Sequence, residues 1–169
     1  MSLAAHLIEQ VKAEAEASRQ VIERIPESNL GWRPHAKSWT LLELASHVAN
    51  LVAWGSMIAT TDGMDFASPE AQSWTPPKPQ SVPEILEILD KNTQGLVAVL
   101  ADASDEQLLA PWVMRNGDHV IASDSRAYSI ARWVVSHQSH HRGELMVDLR
   151  LNDVPLPPIF GPTADEGQM

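Results

Sequence analysis

Apolar residues recur at steps of three and four in four separate stretches of this chain, and prolines stand between and after them. That period gathers side chains on one face of an α-helix, and proline cannot continue a helix interior. The pattern predicts four amphipathic helices around a shared core.

The first stretch runs from Leu3 to about Ile25, with Leu7, Val11, Ala15, Ser18 and Ile22 on one face and Pro26 as its stop. The second runs from about Leu41 to Ala59 and opens on Thr40 with Glu43 three residues on, the pattern of a capping box. Leu44, His47, Leu51, Trp54 and Ile58 share its inner face, so a histidine sits inside an apolar stripe. The third runs from about Val82 to Leu100, with Ser81 and Glu84 as a second capping box and Pro83 in the first turn. Ile85, Leu89, Leu96 and Leu100 face inward, and Gly95, about 1 kcal/mol worse than Ala in a helix, points to close packing against a neighbour. The fourth runs from about Ser123 to Leu151, ended by Pro155.

Two connections are long. Thr61 to Gln80 holds Pro69, Pro76, Pro77 and Pro79 and no helical period, so it reads as a loop. At roughly 3.3 Å per residue such a segment can cross a whole bundle, which lets the second and third helices run parallel. Before the fourth helix, Trp112-Val113-Met114 and His119-Val120-Ile121 flank Asn116-Gly117, a preferred pair for a tight turn, and predict a small hairpin. The expected fold class is all-α: a four-helix bundle over residues 1–155 and a surface tail over 156–169.

The 169 residues suit one domain. With 22 acidic and 12 basic residues the net charge is -10, a surface that repels nucleic acid and anionic membranes. No run of about 18 apolar residues predicts a membrane span. Met1 to Gln10 lacks the basic-then-apolar layout of a signal peptide, so a cytoplasmic protein is expected. Cysteine is absent, which removes disulfides, thiolate nucleophiles and Cys-based metal sites. A metal site here must be built from His, Asp and Glu.

On a uniform wheel for the fourth helix, with His137 at zero, Ile130 falls near about +20°, His141 near about +40°, Val134 near about +60° and Leu145 near about +80°. His137 and His141 thus share the inner stripe, and His140 lies toward the edge. Two histidines at i and i+4 aim at one spot, the spacing that zinc proteases use. The intervening Gln138, Ser139 and His140 lack the glutamate of those enzymes, so a protease reading fails. His47 is the other histidine in a core stripe of a long helix. It lies roughly 10 Å from the start of its helix, and His141 lies roughly 15 Å from the end of the last one. The levels match only if those helices are antiparallel. A lone histidine on an apolar face is usually a satisfied core residue. Three together would leave several buried nitrogens needing partners, each costing roughly 1–3 kcal/mol if unmet. Glu43 and Glu144 stand near the histidines and could orient a ligand or act as a base, Glu43 already being read as part of a cap. Trp54 and Trp133 read as core residues that could also wall a pocket.

These features resemble the DinB-like (DinB/YfiT) superfamily of four-helix-bundle metalloproteins over most of the chain. The resemblance rests on Trp39-Thr40 leading into His47, on the run His137-Gln138-Ser139-His140-His141-Arg142-Gly143-Glu144-Leu145, and on the ending Leu149 to Pro155. It implies an up-down-down-up bundle with a long crossover between helices two and three. It also implies a divalent metal such as nickel or zinc held by His47, His137 and His141. Members with known activity are transferases or isomerases that use low-molecular-weight thiols, and dimers are common. The resemblance therefore implies a metal-dependent enzyme acting on a small molecule, with a thiol as co-substrate, no nucleic acid or membrane partner, and a homodimer as one assembly. A metal- or ligand-binding module without turnover, and a plain bundle with structural histidines, are the alternatives.

Overall fold

Helix α1 (Leu3–Ile22) starts at Ser2, whose hydroxyl accepts from the Ala5 N–H at 3.2 Å. The structure is a computed structural model and describes residues 2–167. The expected stripe of α1 is buried throughout. The helix stops at Ile22 rather than Ile25, because the residue before a proline is held away from the α region, and a 3-10 turn at Glu27–Asn29 follows.

Helix α2 (Leu41–Thr60) opens with the capping box closed in both directions. Thr40 N–H donates to Glu43 Oε2 at 2.7 Å, and Glu43 N–H donates to Thr40 Oγ1 at 3.1 Å. By length and composition α2 could cross a membrane, but 56% of its most apolar window is buried inside this fold. Its apolar character is that of the bundle's core helix.

The connection after α2 holds more structure than its prolines suggest. Gly63–Asp65 forms strand β1, and Pro69–Ser73 forms a short helix α3 capped by Ser68. Proline lacks an N–H that the first turn does not use, so Pro69 starts a helix here. Helix α4 (Val82–Ala101) is capped by Ser81, but the Glu84 carboxylate accepts from Gln80 N–H at 2.8 Å. The expected second capping box therefore does not close. Gly95 is also not the point of close approach, since open space surrounds its missing Cβ. That role falls to Gly55 on α2, where a Cβ would lie 2.8 Å from Leu96 Cδ1.

A short helix α5 (Asp105–Leu109) leads into strands β2 (Pro111–Asn116) and β3 (His119–Ser125). The expected hairpin forms, with its turn moved by one residue. Asn116 pairs with His119, so Gly117 and Asp118 make the turn, and Gly117 takes the positive φ of +60°. β1 pairs in parallel with β2, giving a sheet of order β1-β2-β3. The fold is thus predominantly helical with a small three-stranded sheet. Buried Trp112 donates from Nε1 to Thr61 Oγ1 at 3.2 Å and pins the sheet to the end of α2.

The last helix begins at Arg126, because β3 continues through Ser125. It comprises α6 (Arg126–Ile130), a π-helical turn (Ala131–Ser136) and α7 (His137–Leu151). A π turn closes i→i+5 bonds and takes in an extra residue. Ile130, Val134, Gln138 and Arg142 consequently stay buried at successive steps of four. His137 and His141 lie beside that line and are half-buried, where the uniform wheel put them within it.

Polar contacts give the helices their relative directions. Arg126 Nε donates to Thr61 O at 3.0 Å and Gln138 Nε2 donates to Val48 O at 3.3 Å, so the last helix runs opposite to α2. Asn92 Nδ2 donates to Ala49 O at 3.0 Å while Leu96 meets Gly55, so α2 and α4 run the same way. Beyond Pro155 the chain lies along α1 and α7, held by Arg24–Glu166 at 2.7 Å and by the Arg150–Asp165 pair.

Candidate metal centre

His47 on α2 meets His137 and His141 on α7. One ring nitrogen from each lies within 4.8 Å of the others. His137 Nε2 and His141 Nε2 are 2.9 Å apart, and the His47 ring centre is 4.6 Å from that of His141 and 5.4 Å from that of His137. The two α7 histidines are one turn apart, so their rings meet along the helix, centres 4.7 Å apart and planes tilted by 44°. α2 brings His47 in from across the bundle.

One hydrogen bond fixes the tautomer of His141. His141 Nδ1 is 2.7 Å from Glu144 Oε2, and a carboxylate can only accept, so Nδ1 carries the proton. That leaves His141 Nε2 as an acceptor, 2.9 Å from His137 Nε2, close enough for the two nitrogens to share one proton or one cation. His47 Nε2 is buried with no hydrogen-bond partner. Such an atom costs about 1–3 kcal/mol unless something binds it.

Electrostatics favour the ligating form. Burial lowers His47 to about 4, and the neighbouring His141 and His137 add to the effect. His137 is also lowered, first by burial and then by His141 and His140. Neutral imidazoles are what a metal requires. Three histidines whose ring nitrogens converge could hold a divalent ion, and three protein ligands leave room for a further one. The Glu144–His141 contact is the kind of outer hydrogen bond that orients metal-binding imidazoles.

A second group, His140, His141 and Glu144, also lies within ligating reach, but it shares His141 and its other two members are exposed. Glu43 stays in its cap, where hydrogen bonds from Thr40 lower its pKa. The structure keeps two other histidines out of the cluster: His35 accepts from Lys37 N–H at 3.1 Å, and His119 opens β3.

Sequence reasoning singled out Trp39 only as part of the family resemblance and gave it no place in the site. Trp39 sets its ring 4.7 Å from that of His47 and 5.5 Å from that of His141, closing the cluster's outer side. Its signal was its place next to the N-cap Thr40, which turns the chain back over the first turns of α2. Trp39 also divides two clefts. One of about 540 Å³ reaches His141 and Glu144, and one of about 590 Å³ reaches His47 and Trp54.

Comparison with known proteins identifies the fold and the family. The chain is 24% identical over 161 residues to the uncharacterized protein YrdA of Bacillus subtilis (strain 168), covering 95% of this chain and 90% of that one. Among solved structures, the DinB-like protein YjoA of Bacillus subtilis superposes with a TM-score of 0.67 at 17% identity, covering 97% of this chain and 99% of that one. A DinB-like protein from Bacillus cereus ATCC 10987 gives 0.67 at 17% identity over 91% and 95% of the two chains. A DinB family member from Exiguobacterium sibiricum 255-15 gives 0.66 at 20% identity over 90% and 93%. The family model of the DinB superfamily matches residues 10–145, which include all three clustered histidines, and the chain belongs to that superfamily.

Proposed function

We propose that this protein binds a divalent metal ion, nickel or zinc, through His47, His137 and His141, and that it is a metal-dependent enzyme of the thiol-dependent transferase or isomerase type. The observation that carries the reading is the buried, unpartnered His47 Nε2 beside two Nε2 atoms 2.9 Å apart. Membership of the superfamily supports it, as does an up-down-down-up order, with which the contact directions of α2, α4 and α7 agree.

A metal ion held there supplies Lewis acidity, lowering the pKa of a thiol or water bound to it. The chain's own residues do the rest. Glu144 holds the His141 ring in one tautomer and orientation. Trp39 keeps bulk water from the outer side of the cluster. The clefts on either side of Trp39 give two reactants separate approaches to it. With no cysteine in the chain, the thiol is a small co-substrate. We propose further that the protein works in the cytoplasm on a small molecule, without nucleic acid or membrane, and as a homodimer.

Elemental analysis of untagged protein tests the metal reading, and a panel of low-molecular-weight thiols with electrophiles tests turnover. A stoichiometric divalent metal lost in the His47/His137/His141→Ala triple variant is the expected result. Equal metal content in both proteins overturns the site. Bound metal without turnover on any thiol leaves a metal-binding module.

A further inference from the structure

The cleft that reaches His47 does not end there. Trp54 and Trp74 line it and also line a second cleft of about 470 Å³, whose far wall carries Met57, Met64 and Phe66. The Trp54 and Phe66 rings are 6.1 Å apart and make one aromatic wall. Trp39, Phe66 and Trp74 are 46%, 36% and 55% exposed, so three large rings stand in solvent along one path. Exposed apolar surface gathered in one place marks a binding surface, and each cleft is of the size that holds a small organic ligand.

Most polar groups along the path are already taken. Glu43 accepts from Thr40, and Ser46 Oγ donates to Leu42 O at 2.5 Å. Asn50 Nδ2 donates to Ser46 O at 2.8 Å. Asp65, in the second cleft, accepts from the N–H groups of Ala67 and Gly117 and pairs with Arg115. Exposed Glu70, at the rim of the second cleft, is the one carboxylate lining the path without such a partner, and it stands in solvent. Lys78, at the proline-rich edge, is the single cationic side chain among the residues lining the two clefts.

We propose that the path from Phe66 past Trp54 and Trp74 to His47 is the binding site for an uncharged, extended aromatic or apolar substrate. The ligand's hydrocarbon body lies on the tryptophans and its reacting end lies at His47. The role of His47 rests on the metal reading above, whereas the binding of the apolar body does not.

The neutral two-ring fluorophore N-phenyl-1-naphthylamine probes the site by its own emission and by quenching of tryptophan. Saturable binding at one site is expected. Trp54→Ala and Trp74→Ala should each weaken it at least about tenfold, and Tyr128→Ala and Phe160→Ala, exposed rings elsewhere, should not. Trp74 is on the surface, so its variant keeps the test valid if Trp54→Ala fails to fold. Binding should persist in His137→Ala protein that elemental analysis shows to be metal-free. Absence of saturable binding in folded, metal-loaded protein overturns the proposal and leaves the metal reading standing. So does equal weakening by all four aromatic variants. Tighter binding of the anion 1-anilinonaphthalene-8-sulfonate than of the neutral probe overturns the assignment of an uncharged ligand.

Discussion

His137 and His141 face each other through Nε2 atoms 2.9 Å apart, while His141 Nδ1 donates to Glu144. The pair is built to share something, and His47 supplies a third nitrogen with nothing else to bind. Single changes His47→Ala, His137→Ala and His141→Ala should each remove most bound metal. His140→Ala and His119→Ala should retain it, since neither belongs to the clustered trio. Elemental analysis of the five purified variants checks the assignment, and equal loss from the His140 and His137 variants would contradict it.

Glu144 touches the trio at His141. Glu144→Gln should weaken metal affinity by roughly 10–100-fold while leaving the fold intact. A competition titration against a chelator gives the number. Unchanged affinity would show that the 2.7 Å contact does not tune the ligand.

The lowered histidines give metal-free protein a defined pH response. Burial and the neighbouring rings hold His47 down to about 4, and His137 is lowered for the same reasons. In the unfolded chain both rings take up protons near the reference value of about 6.5. Between about 6.5 and about 4 the unfolded state therefore binds more protons, and stability falls as the pH falls through that window. His47→Leu should flatten this slope. Urea midpoints at about pH 7 and about pH 5 measure it, and an equal drop in both proteins would assign the effect to other groups.

Two glycines should respond in opposite directions. Gly55→Ala forces a methyl against fully buried Leu96 and should destabilise by about 1–3 kcal/mol. Gly95→Ala enters open space on an exposed helix face and should stabilise by about 1 kcal/mol. Urea unfolding of both variants decides, and a stabilising Gly55→Ala would mean that the α2–α4 spacing is looser than described.

The four long helices and the three clustered histidines were legible in the sequence because period and spacing are local properties. The stripe from Leu7 to Ile22 and the box at Thr40–Glu43 needed no knowledge of their surroundings. Features set by partners were not legible. Leu96 sits next to Gly95, yet its close neighbour is Gly55 on another helix. Glu84 could cap Ser81, but Gln80 offers its N–H instead. β1 has too few residues to show alternation, and it exists because β2 is there to pair with it. Trp39 was legible only as part of the family motif, since its place against the cluster depends on where α7 puts His141.

The π turn at Ala131–Ser136 takes in one residue more than a regular helix of the same rotation. Deleting one residue within it would restore a regular helix and leave α7 close to its present orientation, with His137 and His141 still facing His47. One residue removed between His137 and His141 would instead turn His141 away by about 100°. The six residues of the π turn are therefore where this helix can change length without dispersing the cluster.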